Sequence, residues 1–215
     1  MFNITLLSSF HKIIGKCNPD ELYKIIEEIQ PEIIFEELSC DVFDRIYSVG
    51  YEPQTVEAIT IKKYLQKHSI KHLPVDNFPM KETDLLSEAQ IIWDSSSEYR
   101  ELWNKKLLKL SQNGYKFLNS NECTEMLDGI RLIEETVLTQ THNTKLLNEH
   151  KAETDLHDKR ESEMLRAIYN YSKQYSFDKA LFICGAEHRQ PFRQKINEYE
   201  ANESLKLKWT FYNDI

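Results

Sequence analysis

Four short apolar runs spaced along the chain constrain its fold more than any other feature: Ile4-Thr5-Leu6-Leu7, Ile33-Ile34-Phe35, His72-Leu73-Pro74-Val75 and Ala180-Leu181-Phe182-Ile183-Cys184. The first three alternate with helical periodicity. Asn18-Pro19-Asp20-Glu21 starts a helix, with Asn at the cap, Pro at the first helical position and acids in the first turn. Leu22, Ile25, Ile26 and Ile29 then give one apolar face, and Pro31 stops it. A second helix is expected to begin near Pro53, with Val56, Ile59 and Lys63 on one side and Ile61, Tyr64 and Leu65 on another. Ile33-Ile34-Phe35 is continuously apolar, as in a strand covered on both faces. Pro74 cannot donate a ladder hydrogen bond, so its strand is short or lies at an edge. Alternation of this kind predicts parallel pairing with right-handed crossovers, hence an α/β fold with a mostly parallel central sheet flanked by helices.

From about Lys81 to His157 only helical periodicity is found: Leu85, Ala89 and Ile92; Leu102, Leu107 and Leu110; Met126, Ile130, Ile133 and Val137. Residues 81–157 therefore read as a helical insertion or cap of three or four helices inside a single domain spanning 1–215. The alternation then resumes, with a helix from about Asp158 to Tyr175 that uses Met164, Ala167, Ile168 and Tyr171. After the run at Ala180–Cys184 come a helix over roughly Pro191 to Tyr199 and a last strand. In that strand Leu205, Leu207, Trp209 and Phe211 alternate with Lys206, Lys208, Thr210 and Tyr212. A sheet of about four to six strands is expected.

Composition narrows the function classes. A hydrophobic share of 40% over 215 residues supports a packed core. The formal net charge of −8 argues against a general nucleic-acid binder, whose affinity rests on clustered Lys and Arg. No apolar run approaches the roughly 20 residues that span a bilayer. The first residues carry no basic region before a short apolar run, so secretion is disfavoured and a cytoplasmic protein is expected. The four cysteines, Cys17, Cys40, Cys123 and Cys184, are scattered without a Cys-x-x-Cys pair, which disfavours structural zinc and suits reduced thiols. The five glycines exclude a glycine-rich phosphate loop of the usual kinds.

The residues immediately after each strand carry the functional information. The runs end at Ser8-Ser9-Phe10-His11, at Glu36-Glu37, at Asp76 and at Gly185-Ala186-Glu187-His188. In a parallel sheet all these ends share one edge, where open α/β folds place their ligands. Taken alone, His11 reads as an exposed loop histidine and Asp76 as a turn cap or an orienting group. Glu36 and Glu37 point to opposite faces, so at most one is central. His188 comes shortly after a Gly that ends a buried strand, a turn that aims side chains into the crevice. Arg160 heads the apolar face of Met164, Ala167, Ile168 and Tyr171, and either snorkels to water or turns inward to an anion. Glu161 beside it favours a helix amino terminus.

In order along the chain these pieces resemble the superfamily of TraB, Tiki, ChaN and erythromycin-esterase-like proteins. The resembling elements are Ser8-Ser9-Phe10-His11; Pro31-Glu32-Ile33-Ile34-Phe35-Glu36-Glu37-Leu38; Glu57-Ala58-Ile59 with Asp76; and Arg160-Glu161-x-x-Met164 with Gly185-Ala186-Glu187-His188. They cover roughly the first 80 and last 60 residues. The chain departs from the pattern at Ser8, where the family usually carries Gly. The resemblance implies a polar crevice that in some members hydrolyses peptide or ester bonds, in some with a metal, and that in others is linked to haem or to peptide control. Carried onto this chain, His11, Glu37, Arg160 and His188 would be catalytic, with Glu36, Glu57, Asp76 and Glu161 as orienting or substrate-binding groups. With zinc, manganese or cobalt, His11, Glu37 and His188 would leave one coordination position for water. Without a metal, Glu37 or a histidine would be the general base. In both versions Arg160 would stabilise the oxyanion. The alternative is a non-catalytic protein holding a peptide, haem or small molecule in the same crevice. A third reading has the helical middle region contact a partner protein.

Overall fold

The computed structural model describes residues 2–78 and 85–213, leaving aside the side chains of residues 85–89. It has an α/β fold, and among the described residues five strands form an all-parallel sheet. The strands are β1 (Asn3–Ser9), β2 (Ile33–Glu36), β3 (Lys71–Pro74), β4 (Lys179–Gly185) and β5 (Lys208–Phe211), in the order β3-β2-β4-β1-β5. The strand with the longest return through sequence, β4, thus inserts between β1 and β2. Its carboxyl end lies at the centre of the sheet edge, beside that of β1, with Ser9 opposite Gly185.

Side chains on the inner strands alternate between two cores. Leu7, Ile34, Leu181 and Ile183 pack against helices α1 (Pro19–Ile29) and α3 (Val56–Leu65) on one face. Ile4, Leu6, Ile33, Phe35, Phe182 and Cys184 pack against α8 (Thr144–Gln174) and α9 (Arg189–Asn202) on the other. Burial on both faces explains why these runs are continuously apolar. β3 is at the edge, as Pro74 predicts. Asn18 caps α1 by accepting from the backbone N–H groups of Asp20 and Glu21.

Several elements differ from the sequence reading; the last strand, for one, begins at Lys208 rather than at Leu205. Pro53 stands outside the helix expected to begin there; Thr55 caps α3 instead, accepting from the Ala58 N–H. A short helix not foreseen, α2 (Cys40–Ile46), buries Val42 and Ile46 beside Ala58. The expected break at residue 157 is absent, because α8 runs 31 residues straight from the helical middle region into the sheet's flank. Its charged stretch before Arg160 is a solvated helix surface, which loses the apolar stripe without losing the helix.

Lys81, the expected start of that middle region, lies outside the described residues, as do the side chains of Leu85 and Ala89. Beyond it come α4 (Leu85–Ser95), α5 (Ser97–Asn113), α6 (Tyr115–Leu118) and α7 (Asn121–Gln140). Ile92, Ile130, Val137 and Leu146 form a core of their own, while Leu110, Phe117, Leu118, Met126 and Leu127 join the sheet's first core. Buried Asn119 ties the region to β1: its side chain accepts from Ser8 N–H at 2.8 Å and donates to the Ser8 carbonyl at 3.0 Å. Among the described residues no helix is long and apolar enough to cross a membrane.

Candidate functional site at the carboxyl edge of the sheet

The ends of β2, β3 and β4 and one turn of α8 build a chain of alternating charges. Glu37, just past β2, accepts from the Gly185 N–H at 2.7 Å through Oε2, while its Oε1 lies 3.1 Å from His188 Nε2 and 2.9 Å from Arg160 Nη2. Arg160 also donates from Nε and Nη2 to Asp76 Oδ2, at 3.0 and 2.7 Å. On the far side of the imidazole, His188 Nδ1 lies 2.8 Å from Glu161 Oε1. The order is Glu161, His188, Glu37, Arg160, Asp76. A Cβ at position 185 would sit 3.6 Å from both the Glu37 carboxylate and the His188 ring, an ordinary van der Waals contact, so the approach rests on the Gly185 N–H rather than on the missing side chain.

Burial makes the pairing strong. Glu37 keeps 8% side-chain exposure and Arg160 20%; His188, Glu161 and Asp76 are buried. Desolvation alone would neutralise His188. The charge of Glu37 and the bonds to Glu161 and Glu37 outweigh it, and raise the imidazole to about 10. Desolvation likewise opposes the Glu37 carboxylate, yet His188, the Gly185 N–H and Arg160 hold it down at about 2. Burial weakens the Arg160 cation, but its bonds to Asp76 and then Glu37 leave the guanidinium more firmly protonated than usual. His188 is therefore an imidazolium at neutral pH, clamped on both nitrogens.

His11 and Glu57 form a second, more open pair on the same rim. The turn after β1 is pinned to the start of α3 by the Val56 N–H, which donates to the His11 carbonyl at 3.2 Å. This sets His11 Nδ1 3.2 Å from Glu57 Oε1. The His11 side chain is 58% exposed, whereas that of Glu57 is mostly buried. The hydrogen bond to Glu57 outweighs desolvation and raises His11 to about 9, and the charges of Glu37 and Glu187 add to the effect. Burial opposes the Glu57 carboxylate, but His11 and Ser9 keep it below the usual range. The side-chain oxygens of Ser8, Ser9, Glu57 and Tyr115 are enclosed without well-aligned hydrogen bonds. Enclosed polar groups of this kind are the usual seat of ordered water.

Glu36 belongs to neither group. As the pleat requires, it faces away from Glu37, accepting from Tyr47 OH at 2.6 Å and lying 2.7 Å from His72 Nδ1. Burial raises its carboxyl, an effect that His72 and Tyr47 offset in part.

One histidine escapes the sequence reading. His157 stands three and four residues before Arg160 and Glu161 on α8, so it shares their face. Its ring centre is 5.6 Å from that of His188. Burial, then the charges of His188 and Arg160, push it below the ordinary histidine value, so it is neutral at pH 7. The signal is present in the sequence as the spacing His157-x-x-Arg160-Glu161. A boundary expected between His157 and Asp158 obscures it.

His11, Glu37 and His188 do not fit a metal in this arrangement. Both nitrogens of His188 face carboxylates, whereas a ligand must present a lone pair to the ion. Among the described residues no group of three or more His, Cys, Asp and Glu side chains is placed to hold an ion. Haem ligation through His188 would require a nitrogen that is already engaged. A surface depression lined by Tyr23, Lys24, Glu27, Lys67 and His68 lies toward the opposite edge of the sheet, where α3 ends and β3 begins. The chemistry-bearing residues are not there. No family model, no curated protein and no solved structure matches the chain.

Proposed function

We propose that the chain is a hydrolase of carbonyl compounds, peptide or ester, acting at the carboxyl edge of the sheet without a resident metal. The observation that carries this reading is the placing of two partly exposed histidines on one rim, His11 against Glu57 and His157 against His188, in surroundings that push their protonation in opposite directions. His11 is held as an imidazolium by Glu57, and His157 is held neutral by burial and neighbouring cations. Groups whose surroundings drive their pKa values apart are the natural acid and base of one reaction.

In this mechanism neutral His157 takes a proton from water as the oxygen attacks the carbonyl carbon. Arg160, fixed by Asp76 and Glu37, faces the oxyanion that develops. His11 gives its proton to the leaving oxygen or nitrogen as the bond to carbon breaks. Exchange with solvent then returns both rings to their starting states. Glu37, His188, Glu161 and Asp76 act by fixing Arg160 and by setting the field at His157. The ordered motifs that resemble the TraB, Tiki, ChaN and erythromycin-esterase-like proteins support this choice of reaction. Four free cysteines agree with a cytoplasmic setting.

The test is turnover of an ester and peptide panel as a function of pH. The rate should rise as His157 loses its proton and fall as pH passes about 9, where His11 loses its own. His157→Gln should remove the acid limb and His11→Gln the alkaline one. Absence of turnover across the panel by correctly folded wild-type protein would overturn the reading. It would favour instead a ligand-holding protein, for which the internal satisfaction of His188 is the supporting observation.

A further inference from the structure

Helix α5 carries a lysine where its stripe should be apolar. Leu102, Lys106 and Leu110 recur at four-residue spacing on the face turned to the interior, and Lys106 is only 2% exposed. Its ammonium lies 4.0 Å from the centre of the Trp103 ring and 6.0 Å from that of Phe10, the residue next to His11. Among the described residues it makes no hydrogen bond and no ion pair, and burial favours loss of its proton.

The charged and titratable groups around it do not neutralise it. Glu187 is exposed and within electrostatic range, but not in contact. Glu134 accepts from Tyr99 OH, and its own carboxyl is raised by burial. The Cys123 thiol, pushed up to about 11 by burial, is uncharged at neutral pH. Arg131 adds a second cation, donating to the Glu187 backbone carbonyl at 2.7 Å. A buried ammonium compensated only by an aromatic face is under-stabilised. The Lys106 nitrogen is not fully enclosed, so its tip keeps a trace of contact with solvent.

We propose that Lys106, with Trp103 beside it, is an anion subsite that receives a carboxylate of the bound ligand. The helical middle region thereby contributes recognition to the rim where His11 stands. Resting on the hydrolase reading, this makes the substrate an ester or amide bearing a carboxylate set back from the scissile bond. The subsite itself is tested by binding alone, so the two ideas fail separately.

The experiment is tryptophan fluorescence of the full chain titrated with sodium acetate or sodium propionate at constant ionic strength, with inorganic phosphate as a parallel arm. Trp103→Phe identifies the reporting ring among the three tryptophans. A saturable carboxylate response is expected in wild type and in His11→Gln. It should weaken roughly ten-fold or more in Lys106→Met, where one charge-assisted bond is lost, and persist in Lys106→Arg. Equal, non-saturating responses in wild type and Lys106→Met would overturn the subsite, and tighter binding of phosphate than of any carboxylate would overturn its ligand class. A second readout uses wild type alone: 13C NMR of the Lys106 side chain should show its amine pKa rise when acetate saturates, and no rise would overturn the proposal even if Lys106→Met does not fold.

Discussion

The two ionic groups on the rim use the same residue types to opposite ends. In the network around Glu37, every charged side chain lies between partners of opposite sign or caps the end of the series, and all are buried or nearly so. In the pair around His11, one partner is enclosed and the other is more than half in solvent. Mutual satisfaction locks a structure but leaves little free to react. One-sided satisfaction fixes an orientation and a protonation state while keeping a nitrogen available. The closed network therefore serves as scaffold and field, and His11, together with His157, supplies the reacting groups of the proposed hydrolysis.

The sharpest way to break that contrast is to remove the hub. Glu37→Ala leaves His188 and Arg160 short of a buried carboxylate, and such a loss costs about 3–5 kcal/mol. Urea unfolding should show it. A loss no greater than that of an exposed ion pair would mean that the network is not a structural keystone.

The contrast is sharpened from the other side by His11→Gln. Gln retains a donor toward Glu57, and solvent screens the exposed pair, so stability should change by less than about 1 kcal/mol. Under the hydrolase reading the rate should nevertheless fall roughly 10²-fold or more, the scale of a lost general acid. Comparable losses in stability would instead put His11 among the structural groups.

Much of this is legible in the sequence. Apolar runs give the inner strands, Pro74 the edge, and the residues after each run give Asp76, His188 and one of Glu36 and Glu37, because parallel pairing forces those ends together. Arg160 is ambiguous between solvent and interior, and the structure turns it inward to Asp76 and Glu37. The contact partners are not legible. Nothing in the spacing says that His188 closes on Glu37 and Glu161, which removes its nitrogens from metal binding, or that His11 pairs with Glu57 from another helix. Lys106 is invisible to a helical periodicity scored on apolar residues, where a lysine inside the stripe counts only as a gap.

Titration separates the two groups further. His188 is raised from 6.5 to about 10, so its contribution to stability is whole below pH 6.5 and lost as pH rises through 10. Glu37 is lowered from 4.5 to about 2, so its share is whole above pH 4.5 and lost as pH falls through 2. The network is strongest between those limits, from 4.5 to 6.5. Chemical denaturation across pH should give a maximum there. In Glu37→Ala the alkaline decline should shrink without vanishing, because Glu161 still holds His188. An unchanged decline would mean that Glu37 does not set the His188 proton.

The smallest expected effect concerns the residue next to the hub. Glu36 is covered by Tyr47 and His72 on the other side of the β2 end, so it is buried like Glu37 but isolated from it. Tyr47→Phe removes one hydrogen bond and keeps the ring that packs on Phe43 and His72, a change of about 1 kcal/mol. With one donor gone, the Glu36 carboxyl should rise further, because burial is then less opposed. The rim is untouched, so the pH dependence of hydrolysis should match wild type. A shifted profile in Tyr47→Phe would show that charge at Glu36 reaches His11 or His157 through the strand end, and the separation of Glu36 from the rim would have to be abandoned.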